Sequence, residues 1–106
     1  MHTLIGDIGN TLTKICLIEV KTFKIKKIVY FDSKKNISSI FLKKKLKNII
    51  REKKMIKLSL FSSVVPKNQK KLAKILYKFY QIKLIEIKNK NIKKIVKINL
   101  MNKNQV

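Results

Sequence analysis

The chain has 106 residues with 27 Lys plus Arg, five Asp plus Glu, one Cys, one Pro and two Gly, for a formal net charge of +22. That length suits one domain with a buried core, and no run of 18 apolar residues or basic-then-apolar leader supports a membrane span or secretory signal. A lone cysteine, Cys16, forms no internal disulfide and fits a reducing cytoplasm, where a small buried hydrophobe is its expected role.

Residues 2–7 and 11–20 read as two strands joined by a turn at Ile8, Gly9 and Asn10, where Gly-Asn would supply positive φ. Alternation puts Leu12, Lys14, Cys16, Ile18 and Val20 on one side of the second strand. Thr11, Thr13, Ile15, Leu17 and Glu19 fall on the other, so Lys14 would point away from Thr11. Residues 23–31 give a third strand, and short links make the three an antiparallel meander. Asn36 or Ser38 can cap a helix over 37–53, with Ile37, Phe41, Leu42, Leu46, Ile49 and Ile50 near one face. A short buried strand follows at 57–63, and Pro66 ends it. A second helix at 67–80 would bury Leu72, Ile75, Leu76, Phe79 and Tyr80. Strands follow at 82–87 and around 95–98. The order predicts an α/β fold: one ribonuclease-H-like mixed sheet with helices over residues 1–106, the N-terminal domain of an actin-like ATPase fold.

The charge raises nucleic acid as a partner. Against it, Arg51 is the only arginine, although Arg is the residue suited to bidentate phosphate and base contacts. The lysines are spread along the whole chain and accompany an excess of Ile and Asn, all from A/T-rich codons. A small basic module for nucleic acid or another polyanion is therefore the alternative reading.

"DIGNTLTK", residues 7–14, is the stretch that carries chemistry. A glycine turn can present backbone N–H groups to phosphate oxygens. Asn10 and Thr11 add neutral donors, and Lys14 adds a positive charge. Asp7, ending the first strand, suits a hydrated Mg²⁺, which binds through few carboxylates. A hairpin whose Asp and Asn merely stabilise the turn is the structural alternative. No G-x-x-x-x-G-K-[ST] loop occurs, and His2, the only histidine, sits at the N-terminus without partners of metal-ligand spacing.

A second segment, "SSVVP" at 62–66, follows a buried strand and precedes a helix. Together the two segments resemble the N-terminal half of the type III pantothenate kinase family, and the resemblance covers essentially the whole chain. It implies ATP-dependent phosphorylation of pantothenate, the first step towards coenzyme A. It also implies Mg²⁺, a monovalent cation (K⁺ or NH₄⁺), a homodimer and a cytoplasmic location. Carried over by position, the ATP-phosphate loop is Asp7, Ile8, Gly9, Asn10, Thr11, Leu12, Thr13 and Lys14, with Asp7 at the metal. The family's G-x-D-R motif, whose Asp is the base, would fall beyond Val106, and Leu100 stands where the family has a tyrosine beside pantothenate. The expectation is an incomplete, inactive half-enzyme whose second domain lies outside this chain.

Overall fold

The computed structural model describes residues 1–33 and 37–87. Five strands and two helices follow the predicted order: β1 (His2–Ile8), β2 (Leu12–Glu19), β3 (Ile25–Asp32), α1 (Ser39–Ile50), β4 (Leu58–Ser63), α2 (Pro66–Tyr80) and β5 (Lys83–Glu86). Asn36, the expected strand at 95–98, Leu100 and Val106 lie outside the described residues.

One mixed sheet results, in the order β3-β2-β1-β4-β5. The meander β1-β2-β3 is antiparallel, whereas β4 joins β1 in parallel and β5 joins β4 in parallel. Short links allow only antiparallel neighbours. The parallel pairs need the longer crossovers that α1 and α2 supply.

Both helices pack on the same face. Leu4, Ile8, Ile15, Leu17, Phe31 and Phe61 project from the sheet into one cluster with Leu42, Leu46, Ile49 and Ile50 of α1 and Leu72, Ile75 and Leu76 of α2. Alternation therefore assigns Thr13, Ile15 and Leu17 of β2 to the helix side and Leu12, Lys14 and Cys16 to the other. Among the described residues no helix covers that second face. Cys16 is consequently half-buried on the uncovered side rather than in the core. Burial still pushes its thiol pKa up, against the opposing pull of Lys14.

Local chemistry sets the boundaries. Ser38 caps α1 by accepting a hydrogen bond from the Phe41 N–H at 3.0 Å. The helix stops at Ile50 rather than continuing to 53, because Arg51 turns to φ 41°. Pro66 occupies the first turn of α2, where a missing N–H costs nothing. Phe79, expected in the core, is 45% exposed. Phe41 is partly exposed too, with its ring edge against Phe31 at 5.4 Å between centroids. Phe79 instead has the Lys43 ammonium over its ring at 4.3 Å.

Candidate functional site

The turn between β1 and β2 consists of Gly9, Asn10 and Thr11, because Ile8 is still in β1 and pairs with Thr13. Neither Gly9 nor Asn10 has positive φ, contrary to the expectation from Gly-Asn. Glycine is required at position 9 for a different reason. The Gly9 N–H donates to the Leu12 carbonyl at 3.0 Å, and a Cβ there would lie 2.8 Å from that same oxygen. This N–H is thereby engaged within the turn, leaving the exposed Asn10 and Thr11 as its outward part.

The turn is held from both flanks. The Val64 N–H donates to the Ile8 carbonyl at 3.0 Å, and the Ser33 N–H donates to the Thr11 carbonyl at 2.9 Å. Beneath it the Thr13 and Ser33 hydroxyls share a buried hydrogen bond. Thr13 thus faces the helices, and its hydroxyl is engaged there. Ile8 is core, and Leu12 is exposed beside the turn. Of the eight loop residues, Asp7, Asn10, Thr11 and Lys14 present polar side chains outward.

Strand register decides which of these meet. Asp7 pairs directly with Lys14 across β1 and β2, and with Ser62 across β1 and β4. Directly paired residues project to the same face, so Asp7, Lys14 and Ser62 form a row on the uncovered side. The opposition expected between Lys14 and Thr11 rested on both lying in β2, which begins at Leu12. Thr11 lies in the turn, before β2 begins, so strand alternation does not relate the two. Lys14 extends over the ring of Tyr30, its own partner on β3, with Nζ 5.8 Å from the centroid. Among the described residues the Asp7 carboxylate takes no hydrogen bond or ion pair, the one ion pair being the N-terminal amine with Glu19.

Sequence reading marked "SSVVP" as notable but did not bring Ser62 beside Asp7. Ser62 is buried on that face, and Ser63 Oγ accepts from the Val65 N–H at 3.1 Å, shaping the exit into α2. The run of two serines at a strand end was the available signal. Tyr30 carried none, since only the β2–β3 register places it under Lys14.

No group of three or more His, Cys, Asp or Glu side chains comes together among the described residues. A self-sufficient protein metal site is therefore not built here. One open carboxylate next to an exposed turn would suit Mg²⁺ carried on a nucleotide, which takes one or two carboxylates and keeps its remaining ligands as phosphate oxygens and water.

Comparison with known proteins bears on this arrangement. The family model for type III pantothenate kinase matches residues 3–106. The type III pantothenate kinase of Pelagibacter ubique (strain HTCC1062) is 41% identical over 97 residues, covering 92% of this chain and 38% of that protein. The chain thus spans well under half the length of that relative. Among solved structures, the Ppx/GppA family member of Aquifex aeolicus aligns with 86% of this chain and 36% of its own, at 14% identity and TM-score 0.47, a likeness too slight to add to the argument. On the family match and the relative's identity, the chain belongs to the type III pantothenate kinase family.

Proposed function

We propose that residues 1–106 form a single ATPase-type domain, the nucleotide-phosphate-binding half of a kinase that phosphorylates pantothenate to 4'-phosphopantothenate, the first step of coenzyme A synthesis. The reading is supported by family membership and, above all, by one geometric observation. Asp7 and Lys14 stand opposite each other on the uncovered sheet face, at the end that carries the anchored Gly9–Asn10–Thr11 turn.

In this reading Asn10 and Thr11 donate to phosphate oxygens, and Lys14 offsets negative charge on them. Asp7 orients the nucleotide's Mg²⁺. Bound Mg²⁺ and ATP supply a neutralised, transferable phosphoryl group. The chain's own contribution is positioning and charge complementarity, which carry most of the catalysis in phosphoryl transfer. Thr13 acts through structure, holding the turn by its bond to Ser33. The monovalent cation, a homodimer and a cytoplasmic setting come with the same reading. No helix among the described residues is long and apolar enough to cross a membrane.

Asp7 and Lys14 are both exposed, and the chain spans 38% of the Pelagibacter relative. We therefore expect the 106 residues alone to give no pantothenate-dependent ATP turnover. The test is to supply the remaining 62% or so of the relative in trans and assay phosphopantothenate. Restored turnover that Asp7→Asn lowers about 100-fold or more, and Lys14→Ala lowers chiefly through a higher KM for ATP, supports the reading. Turnover by the lone chain, or a reassembled enzyme indifferent to Asp7→Asn, overturns it.

A further inference from the structure

At the end of the sheet opposite Asp7, about 20 Å away along β1, lies an open cavity of about 420 Å³. Its walls include Arg51, Lys53, Lys54, Met55, Phe79 and Gln81, with no acidic side chain among the lining residues. The volume falls within the range of small-molecule sites. We propose that this cavity binds a phosphorylated small molecule, its phosphate on Arg51 and Lys54 and its apolar portion against Phe79 and Met55.

The floor is fixed before any ligand arrives. The His2 N–H donates to the Lys54 carbonyl and the Ile56 N–H to the His2 carbonyl, both at 2.8 Å, and Met55 bridges to His2. Loop 51–57 is thereby tied to the first strand of the sheet. Among the described residues the lysines of α1 and α2 lie on helices and Lys14, Lys26 and Lys27 on strands, whereas Lys53 and Lys54 lie on a pinned loop that lines a concavity.

Structural duty does not use up the charge. Both helices end at the cavity, and each C-terminus carries about half a negative charge that cations offset. Lys57 Nζ already donates to the Tyr80 carbonyl at 3.2 Å at the end of α2. The N-terminal amine, also on the cavity wall, is engaged with Glu19. Arg51, Lys53 and Lys54 have no ion-pair partner among the described residues. The loop thus carries three positive charges against one acid, Glu52, which is not among the cavity's lining residues, and the half-charge at the end of α1.

Arg51 is also in a costly conformation. It adopts φ 41° and ψ −122°, a region that favours glycine, as the C-cap of α1. Gln81, the C-cap of α2, is left-handed too, at φ 54°. The only arginine of the chain therefore occupies a position where a sequence chosen for the helix end alone would have glycine. A guanidinium is the side chain best shaped for phosphate.

The test uses the whole 106-residue chain labelled with ¹⁵N, titrated with phenyl phosphate in parallel with a neutral aromatic of similar size, benzyl alcohol, at about 0.15 M salt. Saturable shifts of the Arg51, Lys54 and Gln81 amides, with benzyl alcohol at least about tenfold weaker, are expected for a charge-assisted site. Arg51→Gly removes the guanidinium while relieving the backbone, so the fold is retained. It and Lys54→Gln should each weaken phenyl phosphate about fivefold or more. Equal binding of benzyl alcohol overturns the proposal. So do shifts centred on Asn10 and Thr11 or spread over the helix lysines, the absence of saturation, and affinity unchanged in both variants. None of these outcomes depends on kinase activity.

Discussion

Gly6 and Gly9 are small for steric reasons rather than for unusual dihedral angles. A Cβ on Gly6 would come 2.2 Å from Phe61 Cε2 and 2.9 Å from the Lys14 carbonyl. Phe61 is fully buried at the centre of the sheet, so its ring has no room to yield. Gly6→Ala should cost about 1–3 kcal/mol, as overpacking of a filled core does, measured as a lower midpoint in urea. Pairing it with Phe61→Leu, which shortens the obstructing ring, should recover part of that loss. A Gly6→Ala chain as stable as the parent would mean that β1 and β4 are not packed as described. The same crowding bears on the site, because Gly6 precedes Asp7 and lies against the Lys14 backbone.

Among the elements, the hairpin from β2 to β3 depends on one carboxylate. Glu19 Oε2 accepts from the Thr22 N–H at 2.6 Å and from the Thr22 hydroxyl at 2.9 Å. The backbone N–H of Thr22 is the main cause that lowers the Glu19 pKa to about 2 from 4.5. A carboxyl group whose folded pKa is depressed stabilises the fold above its unfolded pKa. That contribution is lost as the pH falls through the folded value. Comparing the parent with Glu19→Gln by thermal unfolding should show a gap that is full above about pH 5 and closes towards pH 2. A gap that stays constant across that window would remove Glu19 from the hairpin's support. The two helices behave differently. Neither has an acid in its first turn, and their stability comes from the apolar stripe on the sheet rather than from charge pairing along the helix.

At the scale of the molecule, the sheet has one face covered by α1 and α2 and one face that no described helix covers. On the latter, Tyr30 is 52% exposed and Leu58 49%, with Ile28 and Ile85 also open to solvent. Apolar surface of this extent marks an interaction face, which under the proposed function would meet a further domain. The isolated chain should therefore bind a hydrophobic dye and associate more strongly as salt screens its net charge of +22. Ile28→Lys combined with Leu58→Lys should suppress both effects while leaving thermal stability nearly unchanged, since neither side chain enters the core. Sedimentation at low and high salt checks this. Association that persists in the double variant would place the sticky surface elsewhere.

The sequence by itself determined the order of elements, both helices, their buried stripes apart from Phe41 and Phe79, and the turn that follows Asp7 and carries Asn10 and Thr11. These follow from local rules: apolar spacing at a period of two or 3.6, glycine at a tight turn, and proline at a helix start. Family membership was legible too, because "DIGNTLTK" and "SSVVP" are contiguous motifs. Only the tertiary structure decided what faces what. Lys14 joins Asp7 because β1 and β2 pair in one register, and a shift of one residue would have sent its ammonium to the helix side. Ser62 joins them because β4 returns parallel to β1 after a crossover of more than 40 residues from the turn, by rough count. Thr13 turns its hydroxyl to Ser33 because its strand side faces the core. Contacts of that kind depend on pairings between segments far apart in the chain, and no local pattern encodes them.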